Sequence, residues 1–296
     1  MTKHTRTFGS LGGRTALVTG AAAGIGTATA VALGDAGATV LVHARSAQAA
    51  AEAARALREE SPRGTFTPVH ADLGSLAGVH ELASQVREAA PSGLHVLINN
   101  AGAAFSERKL SPDGVERTIA LNHLAVAALT DDLLDLLTEG AKRSGQPSRV
   151  VNLSSFIHSK GKAVTDWTYP EKFKQTSAYS DAKLLNLIYT YALAAQLDKT
   201  TVTVNAANPG SVRTGFGKKA GGFMGMVMKT MGPILASPAK GALSSVAIAT
   251  DPELGATTAG YFTDGKLTDS SKSSRDATLA HQVWTQTRAK LDSARN

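Results

Sequence analysis

The chain has 296 residues, with 31 Lys and Arg against 24 Asp and Glu, a formal net charge of +7, and no cysteine. At 43% hydrophobic and 19% charged residues, a chain of this length buries a large core without disulfides or a metal, and one or two domains of ordinary size are open to it. Without cysteine there are no disulfide frameworks, thiolate zinc centres, iron–sulfur clusters or cysteine nucleophiles, and the eight histidines show neither HExxH nor an i,i+4 pair, so no metal is expected.

In chain order, short β-rich runs fall at 15–19, 39–43, 65–70, 96–99, 149–153 and 202–206. Between them lie Ala/Leu-rich segments of helical spacing at 48–58, 76–88, 114–137 and 178–197. This alternation predicts βαβ crossovers and an α/β fold whose doubly wound parallel sheet is covered on both faces. Ligands of such sheets bind beyond the carboxyl ends of the strands, so the residues closing each strand are the candidates for chemistry. After Pro209 the pattern breaks into a Gly- and Met-rich stretch at 215–240, a helical run at 238–250, an apolar piece at 260–262 and a terminal helix at 276–291. There is no internal repeat and no linker, which favours one domain over 1–296. No stretch approaches the roughly 18 uninterrupted apolar residues of a membrane span, and residues 1–13 lack the apolar centre of a signal peptide. The expectation is a cytoplasmic protein with no stable membrane anchor. Lys and Arg are dispersed, with doublets at most, which argues against nucleic acid as a partner.

The first strand runs into Gly20-Ala21-Ala22-Ala23-Gly24-Ile25-Gly26 and an Ala-rich helix. Glycines there let backbone amides approach a pyrophosphate, and the helix N-terminus adds partial positive charge. Further motifs close the following strands: Asp72-Leu73, Asn99-Asn100-Ala101-Gly102, Ser154-Ser155 and Pro209-Gly210, with Asn122 and the Tyr179-x-x-x-Lys183 pair in intervening helices. Over residues 14–214 this ordered set resembles the short-chain dehydrogenase/reductase family, whose members have a Rossmann fold and transfer a hydride between a nicotinamide cofactor and a carbonyl or alcohol. The resemblance implies cofactor contacts from Gly20, Ala22, Gly24, Ile25, Gly26, Asp72, Leu73, Asn100, Ala101, Gly102, Tyr179, Lys183, Pro209, Gly210, Val212 and Thr214. It also implies a catalytic set of Asn122, Ser155, Tyr179 and Lys183, in which Tyr179 is the acid/base, Ser155 holds the substrate oxygen, and Asn122 binds a water linked to Lys183.

Tyr179 and Lys183 are four apart, so both lie on one helix face. A phenol of pKa near 10 needs roughly 4 kcal/mol of help to ionise near neutrality, and an ammonium about 4.5 Å away at an effective dielectric of ~20 supplies close to that. Lys183 alone is therefore of the right size, and the positive charge of an oxidised nicotinamide is expected to assist it. At the end of the second strand Ala44 stands where an acidic residue would bind the NAD ribose, and Arg45 and Ser46 can hydrogen-bond a 2′-phosphate, which favours NADP(H) over NAD(H).

Ser155 and Tyr179 are 24 positions apart, and the sequence between them resembles the branch of the family that contains the retinol dehydrogenases and their bacterial relatives. Ala125-Val126-Ala127, Ile157 and Ser270 depart from the usual residues of that branch. The Met-rich stretch within 215–240 falls where the family carries a substrate lid, and thioether side chains suit irregular apolar ligands, so the expected substrate is a lipophilic carbonyl or alcohol. Residues 263–296 form a C-terminal extension, and the resemblance is compatible with a homodimer or homotetramer. Two alternatives remain at this level: a catalytically silent dinucleotide-binding regulator, and an NAD-dependent alcohol dehydrogenase of the same fold.

Overall fold

A computed structural model describes residues 9–169, 173–210 and 236–293. The six β-rich runs are strands: β1 (Thr15–Val18), β2 (Thr39–Ala44), β3 (Thr65–His70), β4 (Val96–Asn99), β5 (Ser148–Leu153) and β6 (Val202–Asn208). Helices α1 (Gly24–Asp35), α2 (Ala47–Glu60) and α3 (Leu76–Ala89) connect the first four. The chain from β4 to β5 carries α4 (Arg117–Ile119), α5 (Ala125–Asp132) and α6 (Leu134–Ser144), and α7 (Gln175–Gln196) precedes β6. Then come α8 (Pro238–Thr250), β7 (Tyr261–Thr263), β8 (Lys266–Thr268) and α9 (Ala277–Ser293).

The eight strands form one sheet in the order β3-β2-β1-β4-β5-β6-β7-β8, parallel throughout except for the last pair. Successive strand residues point to opposite faces, and the core divides accordingly. Leu17, Leu97, Val150 and Val204 pack with α3, α5, α7 and α9, whereas Val18, Val96, Ile98 and Val151 pack with α1, α2 and α8. The chain leaves β1 toward β2 and leaves the adjacent β4 toward β5, in opposite directions, opening a crevice at the carboxyl ends of β1 and β4.

The helix expected over 114–137 is corrected. It begins at Arg117, widens into a π-helical turn at Ala120–Leu124, and breaks at Leu133 before α6. In the widened turn the Ala125 amide reaches back five residues to Ala120 O, and the Asn122 side chain donates to Thr118 O at 2.8 Å. A side-chain donor thus serves a carbonyl that a regular helix would satisfy with backbone. Ser270, one of the departures from the branch, is a hydrogen-bonding hub joined to the hydroxyls of Tyr191 and Ser274 at 2.8 Å and to Arg275 Nε at 3.2 Å. Of the expected lid, residues 215–235 lie outside the described residues, and from Pro238 the chain is already α8.

Candidate active site

At the carboxyl end of β1, Gly20 and Gly24 have φ of +65° and +62°, a conformation that side chains disfavour. A Cβ on Gly26 would lie 2.3 Å from Gly20 O, so only glycine lets α1 pack this closely under the loop. Helix α1 has Ala23 at its N-cap, with no side-chain cap and no acidic residue in its first turn. By contrast, Ser46, Ser75 and Ser237 cap α2, α3 and α8. The glycine cradle and the first amides of α1 therefore fit the pyrophosphate of a dinucleotide.

Two side chains outside the cofactor and catalytic candidates hold this loop. The Thr19 hydroxyl accepts the amides of Asn100 and Ala101 at 2.9 Å each. His43 accepts the Gly20 amide at Nδ1, 3.0 Å away, and donates from Nε2 to Ala71 O at 3.1 Å. Burial lowers the His43 pKa to about 4, which keeps the ring neutral as its acceptor role requires. These partners are 23 to 82 residues apart in sequence, so no local pattern signals them. Asn100 completes the seam, donating from Nδ2 to Thr19 O at 2.7 Å.

The other cofactor candidates surround the same crevice ends. Ala44 is buried, Arg45 and Ser46 are exposed at the end of β2, and the Ser46 hydroxyl caps α2 by accepting the Ala49 amide at 3.3 Å. Asp72 is exposed and accepts the Gly74 amide at 3.0 Å, beside the buried Leu73. After Pro209, Gly210 has φ of +69° and donates its amide to Asn208 Oδ1 at 3.1 Å. Val212 and Thr214 lie outside the described residues.

The four catalytic candidates converge where β4, β5, α7 and the π-helical turn meet. Ser155 caps the 3-10 turn Phe156–Lys160 by accepting the Ile157 amide at 3.4 Å, and it is hydrogen-bonded to Tyr179. The buried Lys183 donates from Nζ to Leu153 O at 2.8 Å and lies 5.7 Å from the centroid of the Tyr179 ring. Asn122 spends both amide hydrogens, on Ala103 O at 2.7 Å and Thr118 O at 2.8 Å. Its buried Oδ1 has no partner among the described residues. A Cβ on Gly102 would fall 2.6 Å from that oxygen and 3.6 Å from Lys183 Nζ, so the two polar atoms flank one small space. Beneath the site a buried ladder crosses the sheet: Asn99 donates to Thr130 Oγ1 at 3.1 Å and Asn152 Oδ1 at 2.8 Å, and Asn152 donates to Thr190 Oγ1 at 2.9 Å.

Burial raises the Tyr179 phenol above its usual range, opposed by the hydrogen bond from Ser155, and burial draws Lys183 down to about 8. Both shifts come from desolvation, which disfavours the charged form of each group. His158 is a packing residue. It donates from Nδ1 to Ser155 O at 2.7 Å, accepts the Ser271 amide at Nε2 at 3.2 Å, and sets its ring edge-on to Tyr261.

A family model described as short chain dehydrogenase matches residues 14–222. The chain belongs to the short-chain dehydrogenase/reductase family. This dehydrogenase is 34% identical over 278 residues to short-chain dehydrogenase TIC 32 B, chloroplastic, of Brassica napus, covering 91% of the chain and 86% of that protein. With human retinol dehydrogenase 14 the figures are 32% over 295 residues, 93% and 85%. Among solved structures, a Mycobacterium paratuberculosis protein superimposes with a TM-score of 0.76 at 26% identity over 96% of each chain. The NADP complex of RhlG from Pseudomonas aeruginosa does so at 0.69 and 28%, over 86% of this chain and 96% of that one. The sequence resemblance to the retinol dehydrogenase branch therefore holds, and the protein is an oxidoreductase of the family's α/β fold. Among the described residues no helix is long and apolar enough to cross a membrane.

Proposed function

We propose that this dehydrogenase transfers a hydride between NADP(H) and the carbonyl or alcohol carbon of a lipophilic substrate, with Tyr179 as acid/base. The observation that carries this reading is the convergence of Ser155, Tyr179, Lys183 and Asn122 beside the glycine cradle. The cofactor supplies or accepts the hydride, and the protein orients, hydrogen-bonds and moves the proton. In the direction of reduction, Ser155 donates to the substrate oxygen as charge grows there, and Tyr179 OH gives it a proton. Lys183 stabilises the phenolate that results. One water in the space beside Gly102 would link Lys183 Nζ to Asn122 Oδ1 and pass the proton outward. The raised phenol pKa keeps Tyr179 in its donor form, which suits reduction.

NADP is favoured because an exposed cation and an exposed hydroxyl, Arg45 and Ser46, follow a buried alanine at the end of β2. The NADP complex of RhlG, a structural neighbour, supports the same choice. A lipophilic substrate is supported by the similarity to retinol dehydrogenases and by Phe156, 51% exposed and next in sequence to Ser155. The test is reduction of decanal, benzaldehyde and all-trans-retinal, followed by loss of NADPH absorbance. Tyr179→Phe is expected to lower kcat by about 10²–10⁴-fold with the fold retained, and unchanged turnover overturns the mechanism. Arg45→Ala is expected to raise the KM for NADPH about tenfold and leave that for NADH unaltered. An unchanged NADPH value overturns the cofactor assignment.

A further inference from the structure

His123, the residue after Asn122 in the π-helical turn, is completely buried. Its ring meets Trp167 and Tyr189 edge-on, with centroids 5.0 and 5.7 Å away at 89° and 76°. Nε2 lies 3.0 Å from Thr287 Oγ1 on α9. The Thr287 hydroxyl donates its own proton to Val283 O at 2.6 Å, so it accepts from His123, and the ring is the neutral Nε2–H tautomer. Burial pulls the His123 pKa to about 3, so this donor persists at neutral pH. Helix α9 is itself anchored nearby. Trp284 stacks on Tyr189 at 5.8 Å and 14°, and Arg288 pairs with Asp131 of α5 at 2.7 Å.

Five-residue turns inside α-helices are rare and persist where their surroundings hold them. The turn at Ala120–Leu124 aims Asn122, with both amide hydrogens used and Oδ1 free. We propose that the C-terminal helix holds this turn through the Thr287–His123 hydrogen bond, and so sets the aim of Asn122 Oδ1 beside Lys183. Thr287 and His123 are positioning residues. The proposal rests on the reading of Asn122 given above, and it assigns to the C-terminal extension a part in turnover from beyond the crevice.

The experiment combines hydrogen exchange of the full chain with steady-state kinetics on whichever of the three aldehydes is reduced fastest. Thr287→Val removes the acceptor at nearly constant shape. His123→Phe removes the donor and leaves no buried N–H behind, so it serves if the first variant does not fold. Both are expected to speed amide exchange in residues 117–126 but not in 19–27, and to lower kcat roughly tenfold with the KM for NADPH within about twofold. Thr287→Ser is expected to restore both readouts. In an Asn122→Ala background Thr287→Val should cost nothing further, since the two act through one group. Arg288→Met, which severs the ion pairs to Asp131 and Asp292 and leaves the Thr287–His123 hydrogen bond in place, should leave kcat unaltered. A variant that melts earlier with unchanged kcat and unchanged exchange at 117–126 overturns the tether and leaves the reading of Asn122 standing. If Asn122→Ala turns over like the unaltered chain, that reading falls, and the tether with it. If none of the aldehydes is reduced by the unaltered chain, the proposed function fails and the exchange readout alone decides the tether.

Discussion

Lys183 carries two burdens at the residue scale. Its ammonium is buried, with Leu153 O as its hydrogen-bond acceptor, and its pKa falls from 10.5 to about 8. A basic group whose folded pKa lies below its unfolded value destabilises the fold while both states are protonated. That penalty, roughly 3 kcal/mol, is fully present below pH 8 and disappears as pH rises from about 8 to 10.5. Lys183→Met is therefore expected to raise the melting temperature at pH 7 while abolishing turnover, and the gap from the unaltered protein should close as pH climbs through that window. Equal melting curves at pH 7 would show that the site tolerates the charge at no cost. The sequence makes the Tyr179–Lys183 pair legible because helical spacing puts the two on one face, but their titration is set by burial, which spacing cannot reveal.

Among the elements, the strand-to-helix turn after β1 is the most demanding. Gly26→Ala places a Cβ 2.3 Å from a backbone oxygen that cannot move without shifting the loop, so weakened cofactor binding together with a loss of a few kcal/mol of stability is expected. Isothermal titration with NADP and thermal melting check this, and unimpaired binding would mean that the loop yields. The glycines were legible because their spacing marks the turn. The contacts by which Thr19 and His43 brace them were not, since each acts on an element that only the sheet brings near. The same holds for the helix expected over 114–137. Its apolar periodicity is real, with Val115, Ile119, Leu124 and Leu129 all buried. Even so, periodicity does not register the extra residue at Ala120–Leu124, where Asn122 reaches Ala103 O across the site.

For the molecule as a whole, His43, His95, His123 and His158 all have pKa values lowered, chiefly by desolvation. His43 and His123, lowered to about 4 and 3, stay neutral in the folded chain while protonating near pH 6.5 when unfolded, so stability is lost as pH falls below about 6.5, at up to 1.4 kcal/mol per pH unit for each of these two rings, and the lowering at His95 and His158 acts in the same direction. Glu116 and Asp181, shifted upward by burial, oppose this nearer pH 4.5. Melting temperature is expected to drop steeply between pH 7 and 5, less so in His43→Gln, and a flat profile would contradict the neutral assignments. The order of strands and helices, the parallel sheet, and the place of each motif at a strand's carboxyl end were determined by the sequence alone, because period-2 and period-3.6 burial and glycine punctuation are local properties. Only the tertiary structure decided the support of the site: the ladder Asn99–Asn152–Thr190, the brace from His43, and the docking of α9 on His123. Those contacts join residues 23 to 164 positions apart, and which polar groups lose water together, and so which partners and protonation states they must take, is settled by packing and by no local pattern.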